Sequence, residues 1–226
     1  MTTSIFEQLY QQRGIASQRR YPNDALIGFL ASLGSRLTAE QKLQTKVLEL
    51  GCGSGANLWF VAREGFSATG IDFAPSGVEL CQQVLRHWDV VAEVAVADMT
   101  CLPYDDHSFD IVFDVVSMQH LTLNQHQQAL AEAKRVLKKG GLYFSYHLGD
   151  NEFIRQAATS LDGYTIDNIP VGYPLAGNGQ TCLLPAEAYQ DLLEQAGFTL
   201  QSLETVTRSY DNRQQFLQYV IAIGQA

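Results

Sequence analysis

The run Val47-Leu48-Glu49-Leu50-Gly51-Cys52-Gly53-Ser54-Gly55 constrains this chain more than any other stretch. Residues 46–50 form a short apolar run that reads as a buried strand. Three glycines at alternate positions follow, and 56–64, with Leu58, Val61 and Ala62 on one face, reads as a helix. Glycine lacks Cβ, so the backbone there turns sharply and lets a ligand approach closely. A strand that runs through such a turn into a helix opens an α/β sheet, and ligands of such sheets lie outside the carboxyl ends of the strands. A glycine triplet alone is also compatible with a plain tight turn. The acid that ends the next strand, Asp72 in Gly70-Ile71-Asp72, adds to the pattern. A carboxylate there can accept from both hydroxyls of a ribose, or it can cap the helix that follows.

The alternation continues along the chain. Strands are predicted at 68–72, 91–97, 109–116 and 142–147, and helices at Pro75–His87 and 125–137. Pro75 suits a first helical position, and Lys138, Lys139, Gly140 and Gly141 read as a helix stop. This alternation predicts a mostly parallel sheet with helices on both faces. It breaks at 149–181, a long insert with scattered Gly and Pro and with Tyr164 and Tyr173; a long loop in a compact domain is usually a lid or binding loop. A helix at 185–197 and strands at 198–207 and 215–223 close the chain. A helix at 24–33 precedes the sheet, with Asn23 as its cap and Gly34 as its stop. The expected organisation is one domain over 1–226, with 1–44 as N-terminal helical cover and 149–181 as a lid insert.

Composition narrows the partners. The 226 residues carry a formal charge of −9, which disfavours nucleic acid, whose binding depends on many Lys and Arg contacts. Cys52, Cys81, Cys101 and Cys182 form no CxxC pair and read as free thiols of a reducing compartment. MTTSIFEQLYQQRG lacks the pattern of a secretory signal, and no apolar stretch is long enough to span a membrane. A cytoplasmic location is therefore expected, with order everywhere except the first few residues.

Taken as a set, these motifs resemble the class I S-adenosylmethionine-dependent methyltransferases. The matching features are ExGxGxG, the acid ending strand two, Ala97-Asp98-Met99, Ser108-Phe109-Asp110-Ile111-Val112, and Arg135-Val136-Leu137-Lys138-Lys139-Gly140-Gly141. A dinucleotide-binding dehydrogenase usually shows GxGxxG, whereas this chain has GxGxG. The resemblance is close over 45–148. It implies a Rossmann-like, doubly wound, seven-stranded sheet of order 3-2-1-4-5-7-6 with strand 7 antiparallel. It implies S-adenosylmethionine as cofactor and S-adenosylhomocysteine as product. Glu49, Gly51, Gly53 and Gly55 would shape the pocket for the methionine part. Asp72 would hold the ribose, Phe73 would lie beside the adenine, and Asp98 would accept from the adenine amino group. The N–H of Met99 would reach a ring nitrogen, and the carbonyl of Ser117 would take the ammonium. Arg20-Tyr21-Pro22-Asn23 is similar to a pattern in bacterial small-molecule methyltransferases; Tyr21 would close over the cofactor and Arg19 or Arg20 would pair with its carboxylate. Alternatively this stretch is a helix start with solvated arginines.

Methyl transfer needs a base only when the nucleophile starts protonated. His120, after strand four, and His147, at the end of strand five, are the candidate catalytic residues; each also has a purely structural reading. His87, His107 and His126 are expected at the surface. His120 and His126 lack a carboxylate between them, so no metal site is expected. The expected acceptor is a small polar molecule of sugar or secondary-metabolite type, methylated on a hydroxyl oxygen or, as the alternative, on nitrogen, by a monomer or homodimer. Tyr164, Asp167, Tyr173 and Asn178 of the insert would contact it, or would serve the packing of the loop. Competing readings are an inactive methyltransferase-like scaffold, a nicotinamide oxidoreductase and a nucleic-acid methyltransferase.

Overall fold

The computed structural model describes residues 5–226; the expectation about the first few residues falls on 1–4, outside the described residues. Seven strands make the main sheet: β1 Lys46–Leu50, β2 Ser67–Asp72, β3 Glu93–Val96, β4 Phe109–Val115, β5 Leu137–Leu148, β6 Thr199–Tyr210 and β7 Gln215–Gln225. Their order is 3-2-1-4-5-7-6. β1 through β5 pair in parallel, and β7 runs antiparallel to both β5 and β6. This is the Rossmann-like sheet expected above. The apolar runs of β1 and β4 suit its centre, where parallel strands are covered on both faces. β3 and β6 form its more exposed edges.

Alternation along the strands divides the core. Leu48 and Leu50 face the cluster that holds Leu130, Tyr143 and Tyr189, against helices α6 Leu123–Val136 and α8 Ala186–Gln195. Val47, Phe113 and Phe144 face the other layer, with α2 Asp24–Gly34, α4 Leu58–Arg63 and α5 Pro75–His87. Asn23 caps α2 by accepting from the N–H groups of Ala25 and Leu26 at 2.9 and 3.2 Å. Glu49 shares its face with Val47 and so points toward the α4 layer.

Four features depart from the sequence reading. A helix α1, Ile5–Arg13, and a 3-10 turn, Gly14–Ser17, stand ahead of α2. A short helix α3, Ala39–Gln44, is set by a Thr38–Gln41 capping box. Lys138 to Gly141 do not stop α6; they are the bulged start of β5, where the register steps from Phe109–Leu137 to Ile111–Leu142. The chain end holds them there, because Gly140 N–H donates to Ala226 O and Ala226 N–H to Gly141 O, both at 2.8 Å. The insert is not irregular throughout. It contains α7, Glu152–Ala157, and a small sheet of Thr159–Ser160, Thr165–Asp167 and Thr181–Cys182. The Asp162 carboxylate accepts from Tyr164 N–H, Thr165 N–H and Thr165 Oγ1 at 2.9, 2.6 and 2.8 Å, which turns the hairpin. Ile154, Ile166, Ile169 and Leu183 pack with Leu148 of β5 and Leu217 of β7, which seats the insert on the main sheet. Among the described residues no helix is long and apolar enough to cross a membrane.

Candidate functional site

A cavity of about 650 Å³ opens at the carboxyl ends of β1, β2 and β4. Its floor is the glycine turn. Gly51, Gly53 and Gly55 have φ of +70°, +50° and +82°, a region that side chains other than glycine's enter only under strain. A Cβ on Gly51 would lie 2.4 Å from Ser117 Cβ, and one on Gly53 would lie 2.8 Å from the Tyr10 hydroxyl. Gly55 answers to a different constraint. Its Cβ would meet Cys81 Sγ at 2.6 Å, so it serves the packing of α5 and lies outside the cavity lining.

Asp72 ends β2 beside this turn. Its carboxylate accepts from Gly53 N–H at 2.7 Å and Ala74 N–H at 2.8 Å. Burial pushes its pKa up against the pull of these two bonds. α1 packs over the turn, with Tyr10 buried beside Gly53 and Gly77. Glu7 tethers α1 to the start of α5, accepting from Ser76 N–H at 3.0 Å and Ser76 Oγ at 2.6 Å.

Glu49 is buried at the end of β1, and burial pushes its pKa up to about 8. Asn57 Nδ2 donates to one of its oxygens at 2.7 Å, and Asn57 Oδ1 accepts from Arg19 at 3.3 Å and Asn23 N–H at 3.0 Å. The other oxygen, Oε2, is buried without a partner among the described residues. Arg19 lines the cavity. Tyr21 lies outside the lining, 63% exposed and edge-on to Trp88, which itself stacks on Trp59.

At the end of β4 the chain turns around Asp114, which accepts from the N–H groups of Ser117 and Met118 at 3.1 and 2.9 Å. Burial raises the Asp114 pKa to about 6. Ser117 Oγ touches this carboxylate and also Leu50 O, so the hydroxyl ties β4 to β1. Val116, a β-branched residue, sits at φ +54° on the cavity wall, a strained conformation of the kind found at functional sites. The Ser117 carbonyl accepts from His120 N–H at 3.1 Å. Across the cleft, Asp98 Oδ1 accepts from Thr100 N–H and Thr100 Oγ1 at 2.8 and 2.7 Å, which orients its carboxylate. Phe73, Asp98 and Met99 line the same cavity.

The two candidate histidines part company. His120 lines the cavity; its ring lies 4.4 Å from that of Phe6. Its Nδ1 faces Gln180 O at 3.2 Å, and a carbonyl can only accept, so Nδ1 carries the proton. Burial lowers the His120 pKa to about 4, leaving the ring neutral at pH 7 and Nε2 a bare acceptor. Nε2 is met by the amide Nε2 of Gln119 at 3.2 Å. His147 lies inside β5, paired with Val220, because the strand runs on to Leu148. Its side chain shares the face of Tyr143 and packs 3.9 Å from the Tyr189 ring, outside the cavity lining. His126 is buried in α6 rather than exposed, held by Thr122 O at 3.2 Å.

The residues present fit the cofactor that the resemblance implies. Side chains on Gly51 and Gly53 would crowd the turn, and the partnerless Glu49 oxygen is left for a polar group of the ligand. Sequence reasoning missed Phe6, Tyr10, Asn57, Asp114, Gln119 and Gln180. The spacing of Phe6 and Tyr10, and an acid inside the apolar run of β4, were available signals.

Residues 47–141 match the family model described as a methyltransferase domain. A probable phthiotriol/phenolphthiotriol dimycocerosates methyltransferase 2 from Mycobacterium ulcerans is 36% identical over 45% of this chain and 38% of its own length. Methyltransferase GfsG from Streptomyces halstedii is 31% identical over 54% of this chain and 46% of its own length. The chain thus spans less than half the length of these relatives. The crystal structure of a Methanosarcina mazei S-adenosylmethionine-dependent methyltransferase shares the fold, with a TM-score of 0.70 and 20% identity over 80% of this chain and 91% of that one.

Proposed function

We propose that the chain, whose residues 47–141 match a methyltransferase domain, is a class I S-adenosylmethionine-dependent methyltransferase that methylates a hydroxyl oxygen of a small polar acceptor. The observation that carries the choice of oxygen is His120, a neutral imidazole held in one tautomer with Nε2 turned to Gln119 at the cavity. A base so placed has work to do only if the nucleophile begins with a proton.

When bound, S-adenosylmethionine supplies a methyl group on cationic sulfur; the S–CH3 bond breaks with its pair kept by sulfur as the O–CH3 bond forms. The chain's own residues hold and align the reactants and exclude water. His120 Nε2 receives the hydroxyl proton. Asp72 would take the ribose hydroxyls, and Phe73 would lie beside the adenine. Asp98 would take the adenine amino group with the oxygen that Thr100 leaves, and Met99 N–H would meet a ring nitrogen. Gly51 and Gly53 give backbone room to the methionine part. Glu49 with Arg19 offers it an acid and a base, and the Ser117 carbonyl offers a second lone pair. α1 and the insert at 178–180 cover the reactants. The relative named for phthiotriol/phenolphthiotriol dimycocerosates carries an alcohol in its name, which supports a hydroxyl-bearing acceptor. Free thiols at Cys52, Cys81, Cys101 and Cys182 suit work in the cytoplasm.

The test is a calorimetric titration with S-adenosylhomocysteine, followed by an acceptor screen that reads its release from S-adenosylmethionine. One-to-one binding, with turnover on hydroxyl acceptors, is expected. Folded protein that binds no S-adenosylhomocysteine would remove the proposal, and binding with no turnover on any acceptor would favour an inactive scaffold.

A further inference from the structure

Gln119, like Glu49, lines the cleft with a buried polar atom that has no partner among the described residues. It is 6% exposed, lines the cavity, and gives its amide Nε2 to His120 Nε2. Its amide Oε1 is buried with no partner among the described residues. The amide cannot be reversed to relieve this. Reversal would set Oε1 against an Nε2 that carries no proton, since the proton is on Nδ1 facing Gln180 O. A buried carbonyl oxygen left unpaired costs about 1–3 kcal/mol, so what fills the cavity is selected for a donor at this point.

The surroundings narrow what carries that donor. Phe6 and Tyr10, one helical turn apart on α1, mark two ends of the cleft. Tyr10 stands at Gly53 and Asp72, where Arg19 and Glu49 also lie. Phe6 stands at His120, which Gln119 and Gln180 also meet, and the lining includes Gln125 and Asn178, near them along the chain. All four are carboxamides. Such groups exchange hydrogen bonds with hydroxyls but offer no countercharge to a carboxylate, phosphate or ammonium, whose burial would go uncompensated.

We propose that this end of the cleft takes an uncharged polyol whose reacting hydroxyl meets His120 Nε2 while an adjacent hydroxyl donates to Gln119 Oε1, which makes Gln119 the specificity-determining residue. The inference rests on the methyl-transfer reading above and names its substrate class. The reacting hydroxyl takes the place of the Gln119 N–H at Nε2, its oxygen can accept that displaced N–H, and the second hydroxyl donates to Oε1. An acceptor with one hydroxyl leaves Oε1 unpaired and is disfavoured.

The test uses the full chain saturated with S-adenosylhomocysteine and a matched set of probes followed by ligand-observed NMR: cyclohexane-1,2-diol, cyclohexanol, 2-hydroxycyclohexanecarboxylate and 2-aminocyclohexanol. The diol is expected to bind about tenfold more tightly than cyclohexanol, the gain of one buried hydrogen bond. Both charged probes are expected to bind more weakly than the diol. In Gln119→Leu the advantage of the diol should vanish while S-adenosylhomocysteine keeps its affinity, which also shows that the variant is folded. Should that variant not fold, Gln119→Asn, which withdraws the amide by one methylene, gives the same comparison. Equal binding of diol and cyclohexanol, preference for a charged probe, or no binding of any probe overturns the inference. So does a loss of S-adenosylhomocysteine affinity in a folded Gln119 variant, which would assign Oε1 to the cofactor. Wild-type protein that fails to bind S-adenosylhomocysteine is a different failure, because it removes the methyl-transfer reading itself.

Discussion

The two ends of the cleft are built by opposite means. At the cofactor end, backbone does much of the shaping. Three glycines hold positive φ, and Asp72 is fixed by two N–H groups of its own loops. Of the charged side chains, Glu49 and Asp72 lie near the ends of β1 and β2, Asp98 follows β3, and Arg19 comes from the segment between the 3-10 turn and α2. At the acceptor end, side chains do the shaping. Phe6, Gln119, His120 and Gln180 come from α1, the turn after β4 and the insert, and they meet only in the folded chain. The first end rests on backbone conformations that few residue types adopt, and the second on uncharged side chains. Under the proposed function, that division would let one sheet keep its cofactor while the acceptor changes.

The sharpest way to break the comparison is His120→Ala. If the ends are separable, turnover falls about 10²- to 10⁴-fold, the usual worth of a general base. The affinity for S-adenosylhomocysteine stays within about twofold. The pH profile should also distinguish a base from a structural ring. With its pKa lowered to about 4, His120 is already unprotonated, so the rate through this group should be flat from pH 6 upward and fall only toward pH 4. An inflection near 6.5 that disappears with His120 would contradict this environment. Asp72→Ala tests the other end. Losing two charge-assisted bonds should weaken S-adenosylhomocysteine about 100-fold. Affinity unchanged in that variant would leave Asp72 as a cap for Ala74 and nothing more.

The same division explains what could be read from the chain before its structure. The strand–helix alternation and the glycine turn were legible because backbone constraints leave marks on residue type, and the sheet order came with the resemblance that those marks carry. Pro75 opens α5 as its fixed φ predicts. The acceptor end was legible only in part. His120 was picked out, but His147 looked equivalent, since a strand's end cannot be located to one residue from sequence; β5 runs one residue further and buries it. Gln119 carries no mark at all. An amide becomes informative only when its oxygen is seen to be buried and unpaired. The insert looked irregular because strands of two and three residues leave no detectable period.

Electrostatics separates the ends in a further, measurable way. Glu49 has its pKa raised to about 8, so its contribution to stability is complete below the unfolded value of 4.5 and is lost as pH rises to 8. Asp114, raised to about 6, behaves likewise in a lower window. His120 and His126, lowered to about 4, and His147, lowered to about 3, act in the other sense; their contribution is complete above 6.5 and is lost as pH falls toward 4 and 3. Between pH 6.5 and 8 Glu49 is therefore left to set the slope. Ligand-free protein should lose stability there at about 1.4 kcal/mol per pH unit, the value for one proton. Chemical denaturation at pH 6.5, 7.25 and 8 measures this. Glu49→Gln should flatten the dependence; a wild-type curve already flat would mean that Arg19 and Asn57 hold Glu49 ionised.

The smallest expected effect bears on how far the two ends are independent. α1 touches both, through Tyr10 at the glycine turn and Phe6 at His120, and Glu7 ties it to Ser76 at the start of α5. The Ser76 hydroxyl is also the main reason that the Glu7 pKa lies below its ordinary value, so the tether persists into mild acid. Ser76→Ala removes the hydroxyl but keeps the N–H bond. One part-buried hydrogen bond to a charged group is a modest loss, and exposure to solvent reduces it further. About a fivefold rise in amide exchange over residues 5–13 is expected. A similar weakening should appear for S-adenosylhomocysteine and for an acceptor probe alike, because the helix must be down for either end to be covered. If only one of the two affinities moves, Tyr10 and Phe6 do not act as one rigid face, and α1 belongs to the end that moved. Equal changes make α1 the element through which filling one end favours filling the other, with a coupling no larger than the loosening seen in exchange.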